Sequence, residues 1–164
     1  LTLKVAERRP EKLPEARARV AEALEEVRRL SPELRMPLLD DLGLDEALRR
    51  YLEGYRRHGL EVEARLQVPP LPKEKEVALF RVVQEALTNV LRHARAGRVK
   101  VELWPEGDRL FGLVEDDGVG FDPESTPPSV GLLGMQERIQ GLGGSLVLRS
   151  APGQGTRVEF GVPL

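Results

Sequence analysis

The fold of this chain is decided by residues 73–94, KEKEVALFRVVQEALTNVLRHA. At about 100° per residue, the apolar side chains of this stretch fall on one arc of a helix. They are Leu79, Val83, Ala86, Leu87, Val90 and Ala94. Glu85 and Asn89 lie one turn apart on the flank between this arc and the polar face. Arg92 and His93 continue the flank. A polar stripe that borders the core predicts a helix that forms the wall of a pocket.

The side chains of this flank suit the binding of phosphate and metal. The Asn89 carbonyl is a neutral oxygen ligand of the kind that Mg²⁺ accepts while it shares its shell with substrate phosphates. The Glu85 carboxylate can accept a proton or position a water. Arg92 and His93 can offset phosphate charge. The same residues also suit an ordinary solvated helix flank, so this helix alone leaves both interpretations open.

Outward from this helix, alternating apolar residues predict several short strands. The predicted strands are residues 60–66, 98–104, 109–115, 145–150 and 156–162, and a further helix is predicted at 131–142. Most of these strands follow one another through short turns, which is typical of hairpins. We therefore expect an α+β fold, with helices on one face of a mixed or antiparallel sheet.

The residues before this unit carry a different pattern. Residues 11–30 are rich in Glu, Arg and Ala, and their apolar residues are spaced alternately three and four apart. This spacing predicts a helix with a narrow apolar seam, either packed on its own domain or forming half of a helical hairpin or dimer contact. Pro32 and Pro37 then interrupt the helical pattern, so residues 31–43 are predicted as a linker. The chain divides accordingly into residues 1–43 and a compact domain at 44–164.

Composition narrows the classes of partner and site. The chain has 25 basic and 27 acidic residues among 164, so no general attraction to nucleic acid or to an anionic membrane is expected. It has no Cys and only two histidines, His58 and His93, which argues against disulfides and a zinc site. No apolar run reaches the roughly 18 residues needed to cross a bilayer. We expect a protein with one core in a reducing, cytoplasmic compartment.

A glycine segment, Asp116-Asp117-Gly118-Val119-Gly120, directly follows the third predicted strand. The spacing Asp-x-Gly-x-Gly places a carboxylate where the backbone becomes permissive. Asp116 is then an acceptor for an exocyclic amine such as that of adenine, and Gly118 and Gly120 let the backbone approach a flat ring. Asp-Gly is also a common turn signal, so a plain hairpin turn is the alternative.

A second glycine segment opens the predicted helix at 131–142. Its first residues are Gly131, Leu132, Leu133 and Gly134. A helix start presents backbone N–H groups and the positive end of the helix dipole to any phosphate placed there. The Pro- and Ser-rich residues before it fit a lid that orders around a nucleotide, and an ordinary loop is the alternative. The chain lacks G-x-x-x-x-G-K-[ST], G-x-G-x-x-G, G-x-S-x-G and H-E-x-x-H, which argues against P-loop, Rossmann, hydrolase and zinc-protease sites.

Taken in order, four motifs resemble the catalytic, ATP-binding domain of sensor histidine kinases, in the GHKL superfamily shared with gyrase, the ninety-kilodalton heat-shock chaperone and MutL. Residues 84–94 resemble its N box, 116–120 its first glycine box, 131–138 its second, and 153–156 its closing motif. The sequences of residues 38–44, LLDDLGL, and of residues 134–138, GMQER, are similar to those of the subclass that works with NarL-type response regulators. The resemblance implies a two-layer α/β sandwich of the Bergerat type, preceded by a helix.

The resemblance also implies a role for each candidate residue in binding ATP and Mg²⁺. Asn89 would hold the metal, and Glu85 would act as base or position a water. Asp116 would read the adenine amine, and Thr156 would lie near the adenine. The groups implied to face the phosphates are Arg92, His93 and the backbone of residues 131–134. Ser129 stands where the second box usually begins with glycine, which is a departure from the pattern of the family.

By the same resemblance, the γ-phosphoryl would pass to a histidine on a dimerisation helix of a homodimeric parent, and then to a NarL-type response regulator. The subclass carries this acceptor in a first hairpin helix. His58 is followed by Gly59 and His93 belongs to the N box, so neither matches the acceptor. We therefore expect a piece of a longer kinase, which binds ATP without phosphorylating itself and does not bind nucleic acid directly.

Two alternatives use the same pocket differently. An anti-sigma-factor-like kinase would phosphorylate a protein serine, and residues 38–44 argue against it because they resemble the histidine kinase linker. A signalling module without catalysis would only bind nucleotide or a partner, and the presence of Glu85 and Asn89 argues against that.

Overall fold

The structure is a computed structural model that describes residues 37–56 and 59–164. Contacts between backbone positions divide the chain after Pro37, and the unit that contains the sheet runs from Leu38 to Leu164. The helix predicted at residues 11–30 and the residue His58 lie outside the described residues. Within the described part of the chain, no helix is long and apolar enough to cross a membrane.

The first described helix, α1, spans Pro37–Arg56 and is kinked at Gly43, which has φ 70° and ψ 172°. The predicted linker up to residue 43 is therefore helical from Pro37 onward. Proline is compatible with the first turn of a helix, because the N–H it lacks has no partner there. Beyond the kink, the Leu44 N–H donates to Glu76 Oε1 at 3.2 Å. A carboxylate from another helix thus caps the second half of α1.

The long helix predicted at residues 73–94 is present as α2, Lys73–Asn89, followed without a break by a π-helical turn, Val90–Ala94. Arg95 ends it in the left-handed conformation, with φ 51°. A π turn inserts one extra residue per turn and is frequent at functional sites. It changes the direction of the side chains that follow Asn89, which a regular helical pattern does not anticipate.

The strands form one mixed sheet in the order β1-β2-β3-β5-β4. Their bounds are β1 Glu61–Leu66, β2 Arg98–Glu106, β3 Arg109–Asp116, β4 Ser145–Ser150 and β5 Thr156–Pro163. The β1–β2 pair is parallel and the other pairs are antiparallel. The predicted α+β fold with a mixed sheet is thereby confirmed, and each strand lies within about two residues of its prediction.

The third helix, α3, spans Val130–Gly141 and packs with α2 over the sheet. Its Met135 and Ile139 are fully buried. They lie over β4 and β5, the strands that α3 contacts, and alternate residues of β2 and β3 contribute to the same buried face of the sheet. These include Val99, Val101, Leu103, Leu110 and Val114. The opposite face of the sheet carries ion pairs, such as Arg157 Nη2 with Glu159 Oε1 at 2.8 Å. One face of the sheet thus holds the core, and the ends of its central strands open toward α2 and α3.

Candidate nucleotide site

A cavity of about 510 Å³ opens between the end of α2, the loop after β3, the start of α3 and the strand face beneath them. This is the size class of small-molecule sites. Of the residues predicted from sequence, its wall contains Asn89, His93, Asp116, Gly120, Leu132 and Thr156. The wall is otherwise rich in apolar side chains, among them Val114, Leu148 and Val158. The fold therefore brings residues that are far apart in the chain to one concave surface.

The other predicted residues lie around this cavity without lining it. They are Glu85, Arg92, Gly118, Gly131, Leu133 and Gly134. Leu133 is 46% exposed, and Arg92 is also exposed. Gly134 lies beneath Arg138, because a Cβ at residue 134 would be 2.8 Å from Arg138 Nη1. The role that the sequence assigned to each of these residues remains a prediction.

Glu85 lies against the start of α3. A Cβ at Gly131 would overlap Glu85 Oε1 and lie 2.8 Å from the carboxylate carbon. The missing side chain at Gly131 therefore gives the Glu85 carboxylate its place between α2 and α3. The sequence motifs placed both residues at the site, but the contact between them is visible only in the structure.

Asp116 ends β3 and is 6% exposed. Burial raises the pKa of its carboxyl above the ordinary value, while hydrogen bonds from the N–H groups of Gly118 and Thr156 act in the opposite direction. The Gly118 N–H lies 2.8 Å from Asp116 Oδ1. Two backbone donors orient this carboxylate at the cavity wall and favour its ionised form. It is therefore placed to accept a hydrogen bond from a ligand.

The loop after β3 packs tightly on the end of the π turn. The Val119 N–H donates to the Ala94 carbonyl at 2.7 Å. A Cβ at Gly118 would lie 2.6 Å from Ala94 Cβ, so only glycine fits there without movement. β3 is followed by α3 along the chain, which means that the alternative of a plain hairpin turn is wrong. The role of Gly118 is close packing between two walls of the site.

Asp117, the second acidic residue of this segment, was not among the predicted site residues. Its Oδ1 accepts hydrogen bonds from the N–H groups of Gly97 and Arg98, each at 2.9 Å. Asp117 thus ties the loop to the start of β2. The only signal in the sequence was the doubled Asp, and the partner segment was not visible in the local pattern.

The segment between β4 and β5 closes the site from the other side. The Gly153 N–H donates to the Val119 carbonyl at 2.6 Å. Gly155 has φ 71° and is buried, and a Cβ there would overlap the carbonyl oxygen of Asp116. Glycine is needed at residue 155 for both its conformation and its close approach. Ser150 also forms hydrogen bonds in this region, and sequence analysis did not single it out.

The start of α3 is capped by Ser129, whose hydroxyl accepts from the Leu132 N–H at 3.1 Å. This explains why serine is accommodated where the second glycine box departs from its usual form. Leu133 donates its N–H to the Ser129 carbonyl at 3.0 Å. Two of the backbone donors that the sequence assigned to phosphate therefore have partners within the helix start.

The residues between the glycine loop and α3 are exposed, and Val130 is exposed to 76%. A turn at Asp122 organises them, because the Glu124 N–H donates to Asp122 Oδ1 at 3.0 Å. This bond, together with one from Ser125, holds the pKa of Asp122 below its ordinary value. Pro127, Pro128 and Ser129 complete the wall of the cavity on this side.

The family of this domain is identified by its similarity to known proteins. Residues 74–164 match the family described as histidine kinase-, DNA gyrase B-, and HSP90-like ATPases. The chain belongs to this family. The match covers α2, the glycine loop, α3 and strands β2 to β5, and it confirms the superfamily that the four motifs indicated.

Relatives within this ATPase family are signalling kinases. The chain is 39% identical over 152 residues to the signal transduction histidine-protein kinase/phosphatase DegS of Brevibacillus brevis, covering 90% of this chain and 39% of DegS. It is 38% identical over 141 residues to the signal transduction histidine-protein kinase/phosphatase UhpB of Salmonella typhimurium, covering 84% of this chain and 28% of UhpB. The chain thus spans less than half of either relative.

Solved structures of this ATPase family agree with the fold. The histidine kinase domain of the blue-light activated histidine kinase of Erythrobacter litoralis matches with a TM-score of 0.66 at 26% identity, over 74% of this chain and 61% of that domain. The mycobacterial sensor histidine kinase MprB matches with a TM-score of 0.55 at 25% identity, over 71% of this chain and 91% of that chain. The described residues therefore have the fold of the catalytic domain of histidine kinases.

Proposed function

We propose that this chain binds Mg-ATP in the cavity and, within a sensor histidine kinase, donates the γ-phosphoryl group to a histidine on a dimerisation helix. The observation that carries the proposal is Asp116. It is a buried carboxylate, oriented by two backbone N–H groups, in the wall of a cavity that also contains Asn89. Residues 44–164 would act as the ATP-binding domain, and residues 1–43 as a helix of the dimerisation hairpin and a linker.

The adenine of ATP is proposed to lie between Asp116 and the apolar strand face. Val114, Leu148 and Val158 supply a surface for a flat ring. The Asp116 carboxylate would accept a hydrogen bond from the exocyclic amine, and Thr156 lies beside it because the two residues pair across β3 and β5. Gly120, with φ 59°, also lines the cavity, and its missing side chain makes room for the Ala151 carbonyl.

The phosphates would extend from the adenine toward α3 and the polar flank of α2. Leu132 and His93 line that part of the wall. Arg92, Leu133 and the glycines at 131 and 134 surround it, and their contribution to phosphate binding belongs to the proposal. Positive charge on the phosphate side is expected to offset the charge that develops on the transferring group.

Asn89 is proposed as the protein ligand of Mg²⁺. Among residues 37–56 and 59–164, no group of three or more acidic or histidine side chains is placed to hold a metal alone. Mg²⁺ usually keeps several waters and shares its shell with substrate phosphates, so it needs few protein ligands. When bound, the ion would neutralise part of the phosphate charge. The Asn89 amide would orient that complex in the cavity.

Glu85 is proposed as the base. In the reaction, an imidazole nitrogen of the acceptor histidine attacks the γ-phosphorus, and the bond to the bridging oxygen breaks to release ADP. The Glu85 carboxylate accepts the proton that the imidazole loses, or positions a water in its place. Its contact with Gly131 holds it at the start of α3, next to the side of the cavity where the γ-phosphate is expected.

The partners follow from the same proposal. The acceptor lies on a dimerisation helix of a homodimeric parent kinase, the phosphoryl group passes on to a NarL-type response regulator, and the domain works in the cytoplasm. DegS and UhpB carry the name of signal transduction histidine kinases, which supports a histidine rather than a serine as acceptor.

Phosphotransfer from labelled ATP tests this function. The chain alone is expected to bind Mg-ATP and to remain unlabelled, because neither of its two histidines, His58 and His93, is the proposed acceptor. Added acceptor-helix protein from a kinase of this type should become labelled on histidine. Asn89→Ala should abolish both Mg-dependent ATP binding in calorimetry and the labelling. Labelling of a serine-bearing antagonist instead, or ATP binding unchanged in Asn89→Ala, would contradict the proposal.

Gly131→Ala separates catalysis from folding. A Cβ at residue 131 overlaps the end of the flexible Glu85 side chain, which can move aside at little cost in stability. Displacing a catalytic group by about 1 Å lowers a rate by up to roughly 100-fold. We expect phosphotransfer to fall at least about tenfold while the unfolding temperature changes little.

The matched control for this variant is Gly141→Ala, in the last turn of the same helix, where a Cβ meets nothing within 4 Å. Both substitutions lie in an end turn of α3, and only the first touches Glu85. Equal phosphotransfer rates in the two variants would show that the Glu85–Gly131 contact has no part in catalysis.

A further inference from the structure

Ser150 ends β4 behind the nucleotide cavity and joins three segments through one hydroxyl. Its Oγ lies 2.9 Å from the Phe121 N–H donor and 2.8 Å from the Gly155 carbonyl oxygen. It also lies 3.0 Å from Thr156 Oγ1. Ser150 itself is not part of the cavity wall, whereas Thr156 and Phe121 are. Any effect of Ser150 on a ligand must therefore pass through its neighbours.

A serine hydroxyl has one proton to donate and two lone pairs that accept. The Phe121 N–H can only donate, so it occupies one lone pair. The Gly155 carbonyl can only accept, and because Gly155 is buried its carbonyl needs a donor. The single proton of Ser150 is thus directed to Gly155. In the remaining contact, Thr156 must be the donor and Ser150 the acceptor.

This assignment determines what the Thr156 hydroxyl can offer to a ligand. Its one proton points away from the cavity toward Ser150, and only its lone pairs remain available. Asp116, the residue paired with Thr156 across the two strands, is a carboxylate and therefore also an acceptor. The Thr156 N–H donates to that carboxylate. The end of the cavity that holds these two side chains thus presents hydrogen-bond acceptors to the base.

We infer that Ser150 is a positioning residue that sets the preference of this site for a 6-amino purine over a 6-oxo purine, by orienting the Thr156 hydroxyl as an acceptor. The inference rests on the proposed binding of ATP. The amine of adenine donates two hydrogen bonds, which Asp116 and Thr156 accept. A 6-oxo purine has a carbonyl oxygen in place of this amine. Its oxygen would face the two acceptors Asp116 and Thr156 without a hydrogen bond, so the site binds it much more weakly.

A purely architectural role for Ser150 makes a different prediction. The same three hydrogen bonds hold the loop at Phe121 and the segment at Gly155 together, so their loss would loosen the cavity for every nucleotide. The affinities for ATP and for its 6-oxo counterpart would then fall by the same factor. Only a role in directing the Thr156 proton changes the ratio of the two affinities, because a freed Thr156 hydroxyl can turn and donate to an oxo group.

The test compares ATP with inosine triphosphate, which carries a carbonyl oxygen in place of the adenine amine and a protonated neighbouring ring nitrogen. Both are measured on the full 164-residue chain with Mg²⁺, by displacement of a fluorescent ATP analogue. In Ser150→Ala, the ratio of the ATP affinity to the inosine triphosphate affinity is expected to fall about tenfold. This is the change in affinity that corresponds to the loss of one hydrogen bond that distinguishes the two bases. Ser145→Ala, the same change at the exposed start of β4, should leave the ratio unchanged.

Thr156→Val provides the second arm, because it removes the hydroxyl through which Ser150 is proposed to act. Thr156→Val alone should lower the ratio, and adding Ser150→Ala to it should produce no further change. If Ser150→Ala does not fold, as judged by thermal unfolding, Ser150→Cys takes its place, since a thiol of similar size is a weaker donor and acceptor. Its ratio should fall in the same direction.

The outcomes separate this inference from the proposed function. An unchanged ratio in Ser150→Ala or its Cys substitute, with both affinities lowered by one factor, overturns the inference and leaves ATP binding intact. Additive effects of Ser150→Ala and Thr156→Val on the ratio overturn it as well. Failure of the unmodified chain to bind ATP overturns the proposed function, and with it the basis of the inference.

Discussion

Asp116→Asn is expected to lower the affinity of this chain for ATP by roughly 30–100-fold. The carboxylate accepts hydrogen bonds from the backbone N–H groups of Gly118 and Thr156 and is buried at the end of β3. An amide has a single oxygen, so its NH₂ group must face either one of those backbone donors or the amine of the ligand. Losing a hydrogen bond to a charged acceptor costs about 2–3 kcal/mol, which corresponds to the stated factor. Isothermal calorimetry with Mg-ATP measures it.

Asp117→Asn is the matched control for Asp116→Asn. The neighbouring side chain is exposed, and it uses only Oδ1 to accept from Gly97 and Arg98. An amide oxygen can keep both of those bonds, so ATP affinity should change less than about threefold, the scale of surface substitutions. Binding by Asp116→Asn within twofold of the unmodified chain would mean that the base is read elsewhere.

Gly155→Ala is expected to destabilise the fold by at least about 3 kcal/mol. Residue 155 has φ 71°, and a Cβ there overlaps the Asp116 carbonyl oxygen and lies 2.9 Å from the carbonyl carbon. Both atoms belong to the backbone of the central strand, so neither can move without disturbing the β3–β5 ladder. A left-handed conformation adds roughly 1–2 kcal/mol for a residue with a Cβ. Thermal unfolding should show a melting temperature about 10 °C lower.

Gly153→Ala separates conformational strain from this clash. Gly153 has φ 78° in the same segment, and a Cβ there meets nothing within 4 Å. The variant should therefore lose only the roughly 1–2 kcal/mol of the backbone conformation. If the two variants unfold at the same temperature, the close packing at Gly155 contributes nothing and strain alone explains the choice of glycine.

Much of the fold could be predicted because its signals are local. The apolar arc of residues 73–94 and the alternation in each strand follow from the periods of helix and sheet, and the structure places α2 and the strands within about two residues of those predictions. The predicted linker at residues 31–43 extends too far, because α1 already includes the residues from Pro37 onward and proline is compatible with the first turn of a helix.

Only some of the candidate residues of the site could be predicted from the sequence. Asn89 and Asp116 could be named because each stands at a conspicuous boundary, the flank of an amphipathic helix and the end of a strand. Asp117 and Ser150 could not, since each has a partner that lies far away in the chain. Asp117 bonds to residues 97 and 98, and Ser150 to residue 121. A side chain that satisfies distant backbone groups leaves no periodic pattern.

The sequence by itself determined the order of elements, the α+β class and the motifs that indicated an ATPase of the histidine kinase type. Only the tertiary structure decided that Asn89, Asp116 and Thr156 share one cavity, that Glu85 lies against Gly131 and that the Ser150 hydroxyl lies 3.0 Å from the Thr156 hydroxyl. The physical reason is that periodicity and turn chemistry act over a few residues. Close approach and the direction of a hydroxyl proton depend on contacts between segments that are distant in the chain.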